Sequence, residues 1–156
     1  MILKIARRDV VTARPEDSVR DVAGQMEYYR VGCVVIVRGE RPVGIVTDRD
    51  LSIRLLAGKG GALDAGTVPI QAVMTARPQT VHEAEGLDKA VALMRMNRCR
   101  RLPVVDIRGK LRGLLSMDDV VEAIGRSMIG VVAALRRQQK PPRRRASAAA
   151  KAAAAS

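Results

Sequence analysis

The stretches RPVGIVTDRDL (residues 41–51) and KLRGLLSMDDV (residues 110–120) are two copies of one pattern. Gly44 matches Gly113, Thr47 matches Ser116 and Asp50 matches Asp119, all at an offset of 69 residues. Working outward, CVVIV (33–37) matches LPVVD (102–106) at the same offset. Further upstream the offset falls to 68, where SVRDVAGQM (18–26) matches GLDKAVALM (86–94), so one residue is inserted in the second copy near Cys99. Three segments in the same order with one insertion identify a tandem repeat whose units share a core.

Each copy reads as strand, helix, strand, strand, helix. A short extended piece opens it (Val10–Thr12; Gln79–Val81). An amphipathic helix follows, with Val19, Val22, Ala23 and Met26 in the first copy and Leu87, Ala90, Val91 and Met94 in the second at i, i+3, i+4 and i+7. Asp17 or Ser18 is placed to cap the first of these helices. Two short apolar runs then flank a Gly-containing turn (Arg38–Arg41; Ile107–Lys110), the signature of a β-hairpin. A second helix starts after Thr47 or Ser116, with Asp48 or Asp118 and Asp119 in its first turn, where the helix dipole favours negative charge. The expected fold is mixed α/β: two pseudo-symmetric β-α-β-β-α repeats packed sheet to sheet. The expected boundaries are residues 1–58 for repeat 1, 59–72 for a Gly/Ala-rich flexible connector, 73–128 for repeat 2, and 129–156 for a helix end and a basic tail.

The core is aliphatic, since the chain has no Phe and no Trp and its aromatic residues are Tyr28 and Tyr29. Met26, Met94 and Met96 are expected to fill it. The formal charge of +12 is uneven: the last 21 residues hold seven basic side chains and no acid, leaving +5 for the first 135. A high pI here describes a tail more than a fold. No apolar run is long enough for a signal peptide or a membrane span. Cys33 and Cys99 have no metal spacing. A soluble, cytoplasmic protein with no membrane association is expected.

The chemistry is concentrated where a strand meets a helix. Thr47/Asp50 and Ser116/Asp119 each put a hydroxyl at a helix N-terminus and a carboxylate one turn in. Such a pair is a capping box on its own terms. Its carboxylate also suits the two hydroxyls of a ribose, and the free N–H groups of the first turn suit a phosphate. No nucleophile–base pair, Walker loop or GxGxxG is present, so no enzyme is expected. His82, the single histidine, has no partners in metal spacing.

The tandem pattern G-h-h-[ST]-x-x-D after a hairpin resembles the cystathionine β-synthase (CBS) domain pair, over roughly residues 3–128. The stretches that carry it are VVIVRGERPVGIVTDRDL, VMTARPQTV and RCRRLPVVDIRGKLRGLLSMDDV. The resemblance implies a non-catalytic regulatory module with two clefts between its repeats, binding AMP, ADP, ATP or S-adenosylmethionine, with no cofactor required, and forming a homodimer. It places Asp50 and Asp119 on the two riboses and Thr47 and Ser116 on ribose or phosphate. Thr75 would supply a polar contact, Val11 and Thr80 would line the adenine slot, and Arg100 and Arg101 would face phosphates. Val31 and Gly32 stand where the first copy would carry that basic pair, so the two clefts are expected to be unequal. Arg49, Arg54 and Lys59 could add positive charge near the first cleft or simply face solvent. The alternative reading is a dimeric scaffold whose residues 136–156 bind nucleic acid or an acidic partner by counterion release.

Overall fold

In the computed structural model the described residues are 1–56 and 65–138. Residues 57–64, which are the end of the expected repeat 1 and the first part of the expected connector with Lys59, lie outside them, as does most of the basic tail (139–156). The chain divides into two units, Met1–Glu122 and Ala123–Ser156.

The first unit carries the repeats. Repeat 1 runs β1 (Thr12–Ala13), α1 (Val19–Tyr29), β2 (Cys33–Arg38), β3 (Arg41–Thr47) and α2 (Asp48–Leu56). After a short β4 (Thr75–Ala76), repeat 2 runs β5 (Val81–His82), α3 (Leu87–Met96), β6 (Arg101–Val105), β7 (Leu111–Ser116) and α4 (Met117–Gln138). The strand–helix–strand–strand–helix order therefore occurs twice, with two sheets and four α-helices among the described residues. The sheets are ordered β1-β2-β3-β4 and β5-β6-β7. In both, the first strand pairs parallel to the hairpin and the hairpin itself is antiparallel.

Local chemistry sets the boundaries. Ser18 caps α1, its Oγ accepting from the Asp21 N–H at 3.1 Å. This satisfies a donor that the first helical turn leaves free. The β2–β3 hairpin turns through Gly39 at φ +63° and the β6–β7 hairpin through Gly109 at φ +74°. These left-handed conformations cost a Cβ-bearing residue more than glycine. The central strands are buried almost continuously, at Cys33–Ile36 in β2 and Leu102–Val104 in β6. They are covered on both faces, which is why they read as apolar runs rather than alternations.

Some expectations need correction. The first strands begin later than expected, with Thr12 and Val81 as their first residues; in repeat 1 the Val10 N–H turns back onto the Arg8 carbonyl at 3.0 Å instead of entering the sheet. Ala23 is exposed, whereas Val19, Val22 and Met26 are buried. Met96 is 76% exposed: it sits two residues past the buried Met94, on the other side of α3. The sequence reading also missed β4.

β4 belongs to a larger exchange. Thr75 and Ala76 precede repeat 2, yet they pair antiparallel with Ile45 and Gly44 in the sheet of repeat 1. Reciprocally, Arg7 precedes repeat 1 and pairs with Leu114 of β7, with N–H to carbonyl distances of 3.0 and 2.9 Å. The segments leading in are equivalent. Ile2–Lys4 and Ile70–Ala72 are both 3-10 turns. The Ile2 N–H donates to the Glu85 carbonyl at 3.1 Å, and the Ile70 N–H to the Asp17 carbonyl at 2.7 Å. Ile2 and Ala6 lie in the core of repeat 2 with Val81, Met94 and Leu115. Ile70 and Val73 lie in the core of repeat 1 with Val22, Ile36 and Val46. Thus the end of the stretch read as a flexible connector is anchored: Ile70 is fully buried and Ala65 and Val68 pack against the same core.

This exchange explains the glycine in the repeated pattern. A Cβ on Gly113 would lie 2.8 Å from the Arg7 carbonyl oxygen, and one on Gly44 would collide with the Met74 side chain. Backbone cannot yield as a methionine can. Gly113→Ala is therefore expected to lower unfolding free energy by about 1–3 kcal/mol. Gly24→Ala, in α1 with nothing within 4 Å, is expected to raise it by about 0.5–1 kcal/mol. Urea denaturation of both variants checks this, and equal effects of the same sign would contradict it.

Candidate functional site

Both strand-to-helix junctions form the same capping box. Asp50 Oδ2 accepts from the Thr47 N–H at 3.0 Å and the Thr47 hydroxyl at 2.9 Å, and the Asp50 N–H donates to Thr47 Oγ1 at 3.1 Å. Asp119 Oδ2 accepts from the Ser116 N–H at 2.8 Å and the Ser116 hydroxyl at 2.6 Å, and the Asp119 N–H returns to Ser116 Oγ at 3.1 Å. In each case Oδ2 holds the cap and Oδ1 is left for another partner. The cap therefore draws on one oxygen of each carboxylate.

The Asp119 junction opens into a cleft of about 170 Å³ that both repeats line. Repeat 1 contributes Val11, Val31 and Gly32, and repeat 2 contributes Arg101, Ser116 and Asp119. Arg7, from the exchanged N-terminal segment, also lines it, with Nε 3.6 Å from Asp119 Oδ1. The Asp119 side chain, only 10% exposed, lines this cleft. A wider groove of about 480 Å³ adjoins it, sharing Val11 and Val31 and adding Gln25 and Tyr29. Gln25 Oε1 is buried there without a hydrogen-bond partner.

The equivalent region of repeat 1 is built differently. A cleft of about 190 Å³ is lined by Ile45, Thr75, Gln79, Asn97 and Arg101, but by neither Thr47 nor Asp50. Arg54 stands beside them. Its Nη2 lies 3.2 Å from Asp50 Oδ1 and donates to Thr75 Oγ1 at 2.9 Å, while Nη1 donates to the Val73 carbonyl at 2.5 Å.

Arg101 lines both clefts. Gly32, its counterpart in repeat 1, lies beside it: a Cβ there would meet Arg101 Nη2 at an ordinary contact distance of 3.7 Å and crowd Asp48 Oδ2 at 3.2 Å. Beside them, burial pushes the Cys33 thiol up to about 11 despite the opposing pull of Arg101. Cys33 is therefore a packing residue at neutral pH rather than a thiolate.

The other expected residues are placed as follows. Thr75 is exposed in β4, and Thr80 is half-buried just before β5, next to the cleft residue Gln79. Arg100 is on the exposed rim, with Nη2 3.6 Å from Asp118 Oδ1, and is not among the lining residues of either cleft. His82 Nδ1 accepts from the Ala84 N–H at 3.2 Å. No group of three potential metal ligands occurs among the described residues. The sequence reading missed Arg7, because only the exchanged segment brings it to Asp119. It left Arg54 undecided between cleft and solvent, although the i,i+4 spacing from Asp50 on a helix was a signal for their contact.

The CBS domain family model matches twice, at residues 2–57 and 70–126. The chain belongs to the CBS domain family. An uncharacterized protein of Methanopyrus kandleri is 37% identical over 121 residues, covering 76% of this chain and 60% of that protein. The chain therefore spans less than two thirds of that relative. A CBS-domain protein from Burkholderia ambifaria aligns with TM-score 0.68 and 32% identity, covering 79% of this chain and 90% of that one. A CBS domain protein from Pyrobaculum aerophilum, solved with AMP, aligns with TM-score 0.66 and 29% identity, covering 75% of this chain and 87% of that one. No helix among the described residues is long and apolar enough to cross a membrane.

Proposed function

We propose that this chain is a non-catalytic regulatory module of the cytoplasm that binds an adenosine-containing ligand between its repeats. The ligand class is AMP, ADP, ATP or S-adenosylmethionine. The observation that carries this reading is the Asp119 carboxylate, held at a helix N-terminus through Oδ2 and lining a cleft that both repeats share. An ionised carboxylate accepts two hydroxyls of a ribose. The N-terminus of α4 and the Arg101 guanidinium suit a phosphate, and the guanidinium can offer it two parallel N–H bonds. Val11 and Val31 offer apolar surface to a base, and the unpartnered Gln25 Oε1 in the adjoining groove suits an exocyclic amino group. The AMP bound by the similar Pyrobaculum protein supports the same ligand class. On this reading Thr47 and Asp50 form the second ribose position, Thr75 and Thr80 lie toward the second cleft, and Arg100 supplements charge at the rim.

A second copy of the chain is the proposed partner of the apolar stripe on the C-terminal part of α4. Ile124, Met128, Val131 and Leu135 recur at i, i+4, i+7 and i+11, the spacing of a helix–helix seam, and Ile129 and Val132 flank them. All six are between 46% and 71% exposed. Together they offer on the order of several hundred Å², approaching the ~800 Å² per partner of a standard interface. The basic residues 136–156 support a further partner, nucleic acid or an acidic protein, through charge alone.

Three measurements test this. In calorimetric titration, one of AMP, ADP, ATP and S-adenosylmethionine is expected to bind saturably and raise the thermal midpoint. Asp119→Asn, which keeps an acceptor for the cap, is expected to weaken that binding about 10- to 100-fold. Silence toward all four ligands, or an unchanged affinity in the variant, would overturn the assignment. Light scattering on the purified chain is expected to give the mass of two copies, falling to one in Met128→Asp; a monomeric parent protein would refute the seam. Removal of residues 136–156 is expected to abolish any DNA affinity and its steep salt dependence. Retention of both would show that the tail is not the binding element.

A further inference from the structure

Both carboxylates of the proposed ribose sites already hold an arginine on the outward oxygen, and the two arginines are held very differently. Arg7 makes one ion pair with Asp119 at 3.6 Å, and its side chain is 75% exposed. Arg54 is fastened at three points: Asp50 Oδ1 at 3.2 Å, Thr75 Oγ1 at 2.9 Å and the Val73 carbonyl. Two of these partners come from the segment that repeat 2 donates to repeat 1. Arg54 is also shorter-tethered, sitting one helical turn from Asp50 on the same helix. A ligand competing for Asp119 displaces one exposed contact. A ligand competing for Asp50 must break a set of charge-assisted bonds that hold one another in place. The lining of the two clefts agrees: Ser116 and Asp119 line theirs, whereas among the described residues the cleft that holds Thr75 is lined by neither Thr47 nor Asp50.

We infer that Arg54 acts as an internal cation that occupies the ribose site of repeat 1, so that one chain binds one nucleotide, at Asp119. The inference rests on the proposed adenosine-ligand reading and adds what decides stoichiometry. Arg54 is thus a specificity-determining residue, and Thr75 serves as its anchor rather than as a ligand contact. A nucleotide enters the first cleft only when the guanidinium has been removed, because a ligand shifts an equilibrium only by its differential affinity for the two states.

The test uses the full chain, AMP as probe and calorimetric stoichiometry as readout. Arg54→Met retains the aliphatic stem of the side chain and removes its charge. The parent chain is expected to bind one AMP and Arg54→Met two. Adding Asp50→Asn to Arg54→Met should return the count to one, and adding Asp119→Asn instead should also leave one, at the other site. A thermal melt of the unliganded Arg54→Met chain confirms folding, and Arg54→Gln provides an independent neutral variant should the first be unstable. One AMP in the parent and still one in both neutral variants would overturn the inference while leaving the nucleotide reading intact. Two equal sites in the parent would overturn it as well. No AMP bound by any of these proteins would overturn the inference together with the assignment of AMP as ligand.

Discussion

The reciprocal exchange of lead segments is the constraint on which the rest of the structure depends. Ile2 is buried in the core of repeat 2 and Ile70 in the core of repeat 1. Each repeat has a short sheet and two helices, too little to enclose its own apolar face, and small domains bury a modest share of their surface. Borrowing an isoleucine and a strand edge from the neighbour completes both cores. The exchange also caps an otherwise open sheet edge in each repeat: β4 covers β3, and Arg7 bonds to Leu114 of β7. An uncovered edge is a template for unwanted pairing. Stability and pairing of the repeats are therefore one property.

The same exchange sets the chemistry of the clefts. Because the N-terminal segment lies over Gly113, it carries Arg7 to Asp119. Because the middle segment lies over Gly44, it carries Val73 and Thr75 to Arg54. The glycine and the aspartate of the repeated pattern are six residues apart and look independent in the sequence. In the fold the first admits the backbone that determines what the second will meet.

Much of this was legible in the sequence because it is local. The hairpins follow from apolar runs around Gly39 and Gly109, the caps from a hydroxyl three residues before an acid, and the tandem order from a matched offset. The clefts were legible only through the resemblance, since nothing local states that Val11 of one repeat will face Asp119 of the other. Contacts between repeats escaped. β4 is two residues long and has no periodicity to detect, and its pairing partner lies about thirty residues upstream. Met96 shows the opposite failure. Its residue type suggests the core, but its position on α3 turns it away from Met94 into solvent. The asymmetry of the clefts was expected from Val31 and Gly32 standing opposite a basic pair. The structure adds a second source of asymmetry that lies elsewhere, in an arginine on one helix that has no equally anchored counterpart in the other repeat.

The capping box and the proposed ribose site look like competing explanations of Asp50 and Asp119, yet a carboxylate has two oxygens and each explanation uses one. Oδ2 fixes the helix start through two bonds from the preceding Thr or Ser, so the side chain is already ordered before any ligand arrives. For the proposed ligand, that ordering would remove a conformational penalty of binding. It also aims Oδ1 in one direction. What meets Oδ1 is then decided by chain segments that cross between repeats. Replacing Arg7 at Asp119 by another donor changes a contact of the segment that also closes β7. For such a contact to regulate anything, the ligand must favour one packing of the repeats over another, and the difference between those affinities bounds the effect. The size of the signal is thus tied to how strongly the exchanged segment holds its own arginine in place. In that respect Asp119, with one exposed ion pair, is the more responsive of the two carboxylates, and Asp50, with its arginine fixed at three points, is the more rigid.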